Sequence, residues 1–179
     1  IGADFSTSVF GIGFWGEAAM FLPEKDVIMT NDLSAFYPMS PVPVTQDSIL
    51  LEKNKPYVKF VVGVDYLFSD GSYLNLQYLH GFIHEKGSEN LNDYFFLQYD
   101  KSFFNERLKI VPIGGAFIVT DWKAVKDNYA IVYNPQIFYK ATADVEINLS
   151  SVFFFGKGDN MFANLKDYNM FMLNLKYSF

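Results

Sequence analysis

Apolar residues recur at every second position along most of this chain, and no stretch shows a convincing helical period. That regularity commits the backbone to strands, because side chains of an extended chain alternate between two faces. The last segment is the plainest: Phe171, Leu173, Leu175, Tyr177 and Phe179 alternate with Met172, Asn174, Lys176 and Ser178. Val145, Ile147, Leu149, Phe153 and Phe155 alternate with Glu146, Asn148 and Ser150, and Tyr129, Ile131, Tyr133, Ile137 and Tyr139 with Asn134 and Gln136. The pattern predicts eight strands, over about 5–22, 57–68, 73–85, 93–103, 107–120, 129–139, 145–155 and 171–179. The first is long and carries Phe10, Ile12 and Phe14 on one face; the fifth is blurred by Pro112 and the Gly114-Gly115 pair.

The connections alternate in length. Short ones fall at Ser69-Asp70-Gly71-Ser72, Phe104-Asn105-Glu106 and Ala141-Thr142-Ala143; longer ones at 23–56, 86–92, 121–127 and 157–166. In an antiparallel meander every second connection lies at the same end, so all short turns share one end. Both termini are expected there too. The 179 residues read as one domain, with a long external loop at about 24–56.

Composition narrows the function. A net charge of −6 with a single arginine, Arg107, argues against a nucleic-acid partner. The absence of cysteine excludes a disulfide scaffold or a Cys-based zinc site. Aromatic residues make up 19% of the chain, which disorder does not allow. No run of 18 apolar residues offers a membrane-spanning helix. The start at Ile1 without a leader reads as a processed or partial chain.

An even strand number, short turns at one end and long loops at the other resemble the bacterial outer-membrane β-barrels. In lipid every backbone polar group needs a partner, so only helices and closed barrels span. The ending Leu175-Lys176-Tyr177-Ser178-Phe179 resembles the C-terminal signature of that family. The resemblance implies a transmembrane antiparallel up-and-down barrel in the bacterial outer membrane with both termini periplasmic. It also implies that Tyr177 and Phe179 form an insertion signal read by the barrel insertion machinery. Residues Phe60-Val61-Val62-Gly63-Val64-Asp65-Tyr66 and Leu74-Asn75-Leu76-Gln77-Tyr78-Leu79-His80-Gly81 are similar to the C-terminal half of larger porin-like barrels. That implies a channel for passive transport of small solutes, partnered by the bilayer and by additional barrel strands or further copies, without cofactor, metal or catalysis. The alternative is a closed eight-stranded barrel with a structural, adhesive or anchoring role, since eight strands leave room only for side chains.

On this reading lipid meets the aromatic and aliphatic face. Tyr66, Phe68, Phe103, Tyr139, Tyr177 and Phe179 suit a girdle at the short-turn end, and Phe95, Tyr129 and Phe155 one at the long-loop end. The lumen-facing set is then Glu17, Lys59, Asp65, Asn75, Gln77, Gln98, Asp100, Lys109, Asn134, Gln136, Glu146, Asn148, Asn174 and Lys176. Of these, Asp65, Asp100, Lys109, Glu146 and Lys176 lie close to the short turns and predict a mixed-sign belt at one height. Such a belt either filters solutes or plugs a narrow lumen.

Other motifs carry less. Gly11-Ile12-Gly13-Phe14-Trp15-Gly16 spells G-x-G-x-x-G, but a dinucleotide site needs a helix to follow, and Pro23 arrives instead. Gly13-Phe14-Trp15 resembles the G-x-W motif of lipocalins, yet the chain ends in a strand and is lightly charged for a soluble barrel. His80 and His84 stand four residues apart, about 13 Å along a strand, too far for one metal ion. His84 with Ser88 could serve a lipid-modifying site only given triad geometry. In the long loop, Pro38, Pro41 and Pro43 and the apolar Ile49-Leu50-Leu51 suggest a constriction or a recognition lid.

Overall fold

A computed structural model describes the backbone of every residue except 33, 37, 38, 40, 41, 43, 159 and 179. The strands are β1 (Gly2–Val9), β2 (Ile12–Phe21), β3 (Val27–Asp32), β4 (Thr45–Leu51), β5 (Tyr57–Leu67), β6 (Ser72–His80), β7 (Asp93–Phe103), β8 (Leu108–Val119), β9 (Tyr129–Tyr133), β10 (Gln136–Lys140), β11 (Val145–Lys157) and β12 (Met170–Tyr177). Ten of them form one antiparallel sheet in the order β1-β2-β5-β6-β7-β8-β10-β11-β12. β9 pairs with the same two neighbours as β10 and lies end to end with it, so the sheet is crossed nine times. β3 and β4 make a separate hairpin inside the 24–56 segment.

The count of eight is corrected at the first strand, where the single span over 5–22 is two strands. Phe10 and Gly11, at φ 53 and 81, form a two-residue turn between the paired Val9 and Ile12. Two positive φ values suit such a turn because its twist matches that of the strands it joins. Phenylalanine is an unusual occupant of its first position, so only Gly11 marks the turn. A second consequence corrects the termini: Ile1 pairs with Met20 at the long-connection end, whereas Tyr177 sits at the short-connection end.

Two further irregularities in the large sheet follow from proline. Between Tyr99↔Ile113 and Lys101↔Ile110 the β7–β8 ladder slips, leaving one extra residue on β8 where Pro112 has no N–H to donate. Pro135 likewise separates β9 from β10. The short β5–β6 turn is fixed by Asp70, whose carboxylate accepts from the Ser72 N–H (3.0 Å), the Ser72 hydroxyl (2.6 Å) and Lys101 Nζ (2.7 Å).

The sheet is open. It begins at β1 and finishes at β12, with no pairing between the two among the described residues, and both strands are exposed along their whole length. Its two faces differ sharply. One carries Val58, Val62, Leu76, Leu97, Ile113, Ile131, Leu149 and Leu173, each more than a third exposed. At its long-connection end a row of rings crosses five strands: Phe60–Tyr78 (5.5 Å between centroids), Tyr78–Phe95 (4.9 Å), Phe95–Phe117 (6.3 Å) and Phe117–Tyr129 (6.2 Å). The buried core lies on the opposite face, where Phe82, Phe162 and Ala163 from two connections pack onto Tyr94, Ile118 and Ala130.

Candidate functional site

The site is built by register. Directly opposed residues of an antiparallel pair share a face, so pairing carries one polar row across the sheet. Asp65 opposes Asn75, which opposes Gln98; Gly63 opposes Gln77. Glu17 opposes Asp4 and Val61, and Lys59 opposes Ala19. On the far side Phe138 opposes Lys109 and Asn148, Asn148 opposes Asn174, and Glu146 opposes both Lys140 and Lys176. Gln136 opposes Ser150, and Asn134 joins it through a hydrogen bond from Gln136 Nε2 (2.5 Å). Asp100 reaches Lys109 Nζ at 3.2 Å. All fourteen polar residues singled out from the sequence thus stand on one face.

The structure divides the charged belt rather than closing it. Asp100 and Lys109 meet, with Asp100 buried at 4% exposure. Glu146 and Lys176 are opposed but make no ion pair within 4 Å among the described residues. Asp65 stands three strands away from Asp100's partner, against the bare Cα of Gly13. Two cations outside the lumen-facing set read from the sequence complete the basic side. Arg107 and Lys140 line a cavity of about 430 Å³ with Lys109, Phe138 and Glu146. Strand parity would have found Lys140, since its neighbour Tyr139 belongs to the apolar face.

Above the belt the polar face carries carboxamides. Gln77 Nε2 donates to Asn75 Oδ1 (2.7 Å), Gln98 Nε2 to Asp100 Oδ2 (2.8 Å) and Asn134 Nδ2 to the Ser151 carbonyl (2.7 Å). These amides border a cavity of about 340 Å³ whose remaining walls include Phe82, Phe96 and Phe162. The connection over residues 81–92 is held across it by Glu85. That buried carboxylate accepts from Phe82 N (2.7 Å), Asn92 N (3.0 Å), Asn92 Nδ2 (2.5 Å) and the Tyr94 hydroxyl (2.5 Å). Burial pushes the Glu85 carboxyl up, but the hydrogen bonds from Tyr94, Asn92 and Phe82 outweigh it and hold the group below its ordinary range. Lys59 Nζ ties to the same connection through the Phe82 carbonyl (2.6 Å).

The remaining candidates do not join this face. His80 Nδ1 lies 2.8 Å from Asp93 Oδ1, which also accepts from the Tyr78 hydroxyl (2.7 Å), while Asp93 Oδ2 accepts from Trp122 Nε1. This cluster sits on the apolar face beside the ring row. His84 stacks edgewise on Phe82 at 5.4 Å, without a catalytic partner among the described residues. No group of three His, Asp or Glu side chains suited to a metal ion occurs among the described residues. Gly11 lies in the β1–β2 turn and Gly16 under the Phe5 ring, so the glycine motif serves a hairpin. In the long connection Ile28 and Ile49 oppose each other, both largely exposed; Pro38, Pro41, Pro43 and the side chain of Leu50 lie outside the described residues. Tyr177 is exposed on the apolar face, and Phe179 lies outside the described residues. Comparison with protein-family models, with curated proteins and with solved structures finds no match for the chain.

Proposed function

We propose that this chain is a section of a porin-like β-barrel channel in a bacterial outer membrane, along whose polar face small solutes cross passively. The contrast between the two faces carries the reading. Soluble proteins rarely expose contiguous apolar surface beyond a few hundred Å², yet here aliphatic and aromatic side chains cover most of one face of a ten-stranded sheet. A bilayer is the solvent that tolerates such a face, and the ring row suits its interface. Most crossings run 8 to 13 residues, the span of a tilted membrane strand. The opposite face carries amides and charges of both signs, among them the Asp100–Lys109 pair. The bare edges of β1 and β12 support membership of a larger barrel, because an edge left in lipid strands its backbone polar groups.

The test is reconstitution of the polypeptide carrying this chain into phospholipid vesicles. It is expected to resist alkaline carbonate extraction and to make the vesicles permeable to small neutral solutes in a swelling assay, while dextrans stay excluded. A detergent-free soluble monomer would overturn the membrane reading. Integration without permeability would overturn the channel reading alone.

A further inference from the structure

The cavity beneath the 81–92 connection has a chemistry of its own. Its borders include the carboxamides of Asn75, Gln77, Gln98, Asn134 and Gln136, and none of its lining residues is charged. Their hydrogen bonds, two of them to one another, leave much unused. Among the described residues each amide nitrogen makes one hydrogen bond: Asn75 to the Tyr73 hydroxyl (3.5 Å), Gln77 to Asn75, Gln98 to Asp100, Asn134 to Ser151 and Gln136 to Asn134. A carboxamide NH₂ has a second hydrogen to give. The carbonyl oxygens of Gln77, Gln98 and Gln136 accept nothing among the described residues. Neutral donors and acceptors therefore stand side by side around a space of about 340 Å³ that the rings of Phe82, Phe96 and Phe162 also border.

We infer that this cavity is a binding site for a neutral polyhydroxylated solute, of the size of a mono- or disaccharide. The inference rests on the channel reading for its access route and deepens it by naming the solute class. Each hydroxyl of a sugar both donates and accepts, which matches a surface offering both. The C–H face of a pyranose ring suits an aromatic wall, and the volume lies at the lower end of small-ligand pockets. An anion or cation finds no counter-charge here. The carboxylates behind its walls are already engaged, Asp100 with Lys109 and Glu85 with Phe82, Asn92 and Tyr94. The site lies on β6 to β10, away from the bare β1 and β12 edges, so it does not depend on how the sheet is completed.

The experiment is saturation-transfer NMR on the polypeptide carrying this chain, folded in lauryldimethylamine oxide, a detergent without a sugar headgroup, with glucose, maltose and glucuronate as probes. Glucose or maltose is expected to bind saturably, and glucuronate at least tenfold more weakly. Gln77→Leu and Phe162→Leu are each expected to weaken maltose binding at least fivefold while the heat-modifiable folded band persists. Gln77 lies in the sheet and Phe162 in a connection, so loss of folding in one leaves the other as the test. Absence of saturable binding by either neutral sugar, equal binding of glucuronate, or unchanged affinity in a folded variant would overturn the site. Sugar binding without vesicle permeability would overturn the channel and keep the site; permeability without sugar binding would do the reverse.

Discussion

Leu149 and Leu173 face one another across β11 and β12 on the apolar face, and Asn148 and Asn174 do so one residue away on the polar face. A charge therefore meets opposite fates at neighbouring positions. Leu149→Arg is expected to cost about 2–4 kcal/mol of stability in lipid, whereas Asn174→Arg is expected to change it little; urea unfolding of the reconstituted protein measures both. This grouping of residues by face was legible in the sequence, because a period of two needs no knowledge of neighbouring strands. Parity also placed Lys140, had it been followed one residue past Tyr139. Phe10 was not legible. Its positive φ is imposed by the pairing of Val9 with Ile12, and nothing in a phenylalanine announces it.

The connection over 81–92 starts five residues earlier than the pattern placed it, because β6 ends at His80, and its role is visible only in three dimensions. Glu85 gathers hydrogen bonds from residues before and after it, and Lys59 reaches the same backbone from β5. A carboxyl held below its ordinary range gives stability that is full above the unfolded value and lost as pH falls through the folded one. The connection is therefore expected to loosen below about pH 4.3, the ordinary glutamate value. Amide hydrogen exchange of residues 81–92 at pH 7 and near pH 3.5 detects this, with the β6–β7 ladder as internal reference. Glu85→Ala is expected to destabilise by about 1.5–3 kcal/mol, the worth of hydrogen bonds to a buried charged group. The β3–β4 hairpin inside the long loop was similarly hidden, since its strands are short and sit among prolines. The bulge at Pro112 was half legible: proline announced a break, but only the partner strand shows where the extra residue goes.

For the molecule as a whole, the sequence conveyed an antiparallel meander with its connections sorted by length, because alternation and turn residues are local signals. Closure is not local, and the alternation of β1 or β12 reads the same beside a partner or beside none. Here the small turn at Phe10-Gly11 has a large effect. By adding one crossing it makes the number odd, so β1 and β12 both run from the long-connection end toward the short one. Joining them directly would demand a parallel seam in an otherwise antiparallel wall, and two copies set edge to edge would need two such seams. A complement that keeps every neighbour antiparallel must itself contribute an odd number of strands. The chain has no native cysteine, so a pair introduced by Ser6→Cys and Asn174→Cys is expected to form no disulfide within one molecule or between two. On the barrel reading, the direction of the two edge strands, and with it the number of strands a complement must add, is thus set by two residues at the first bend.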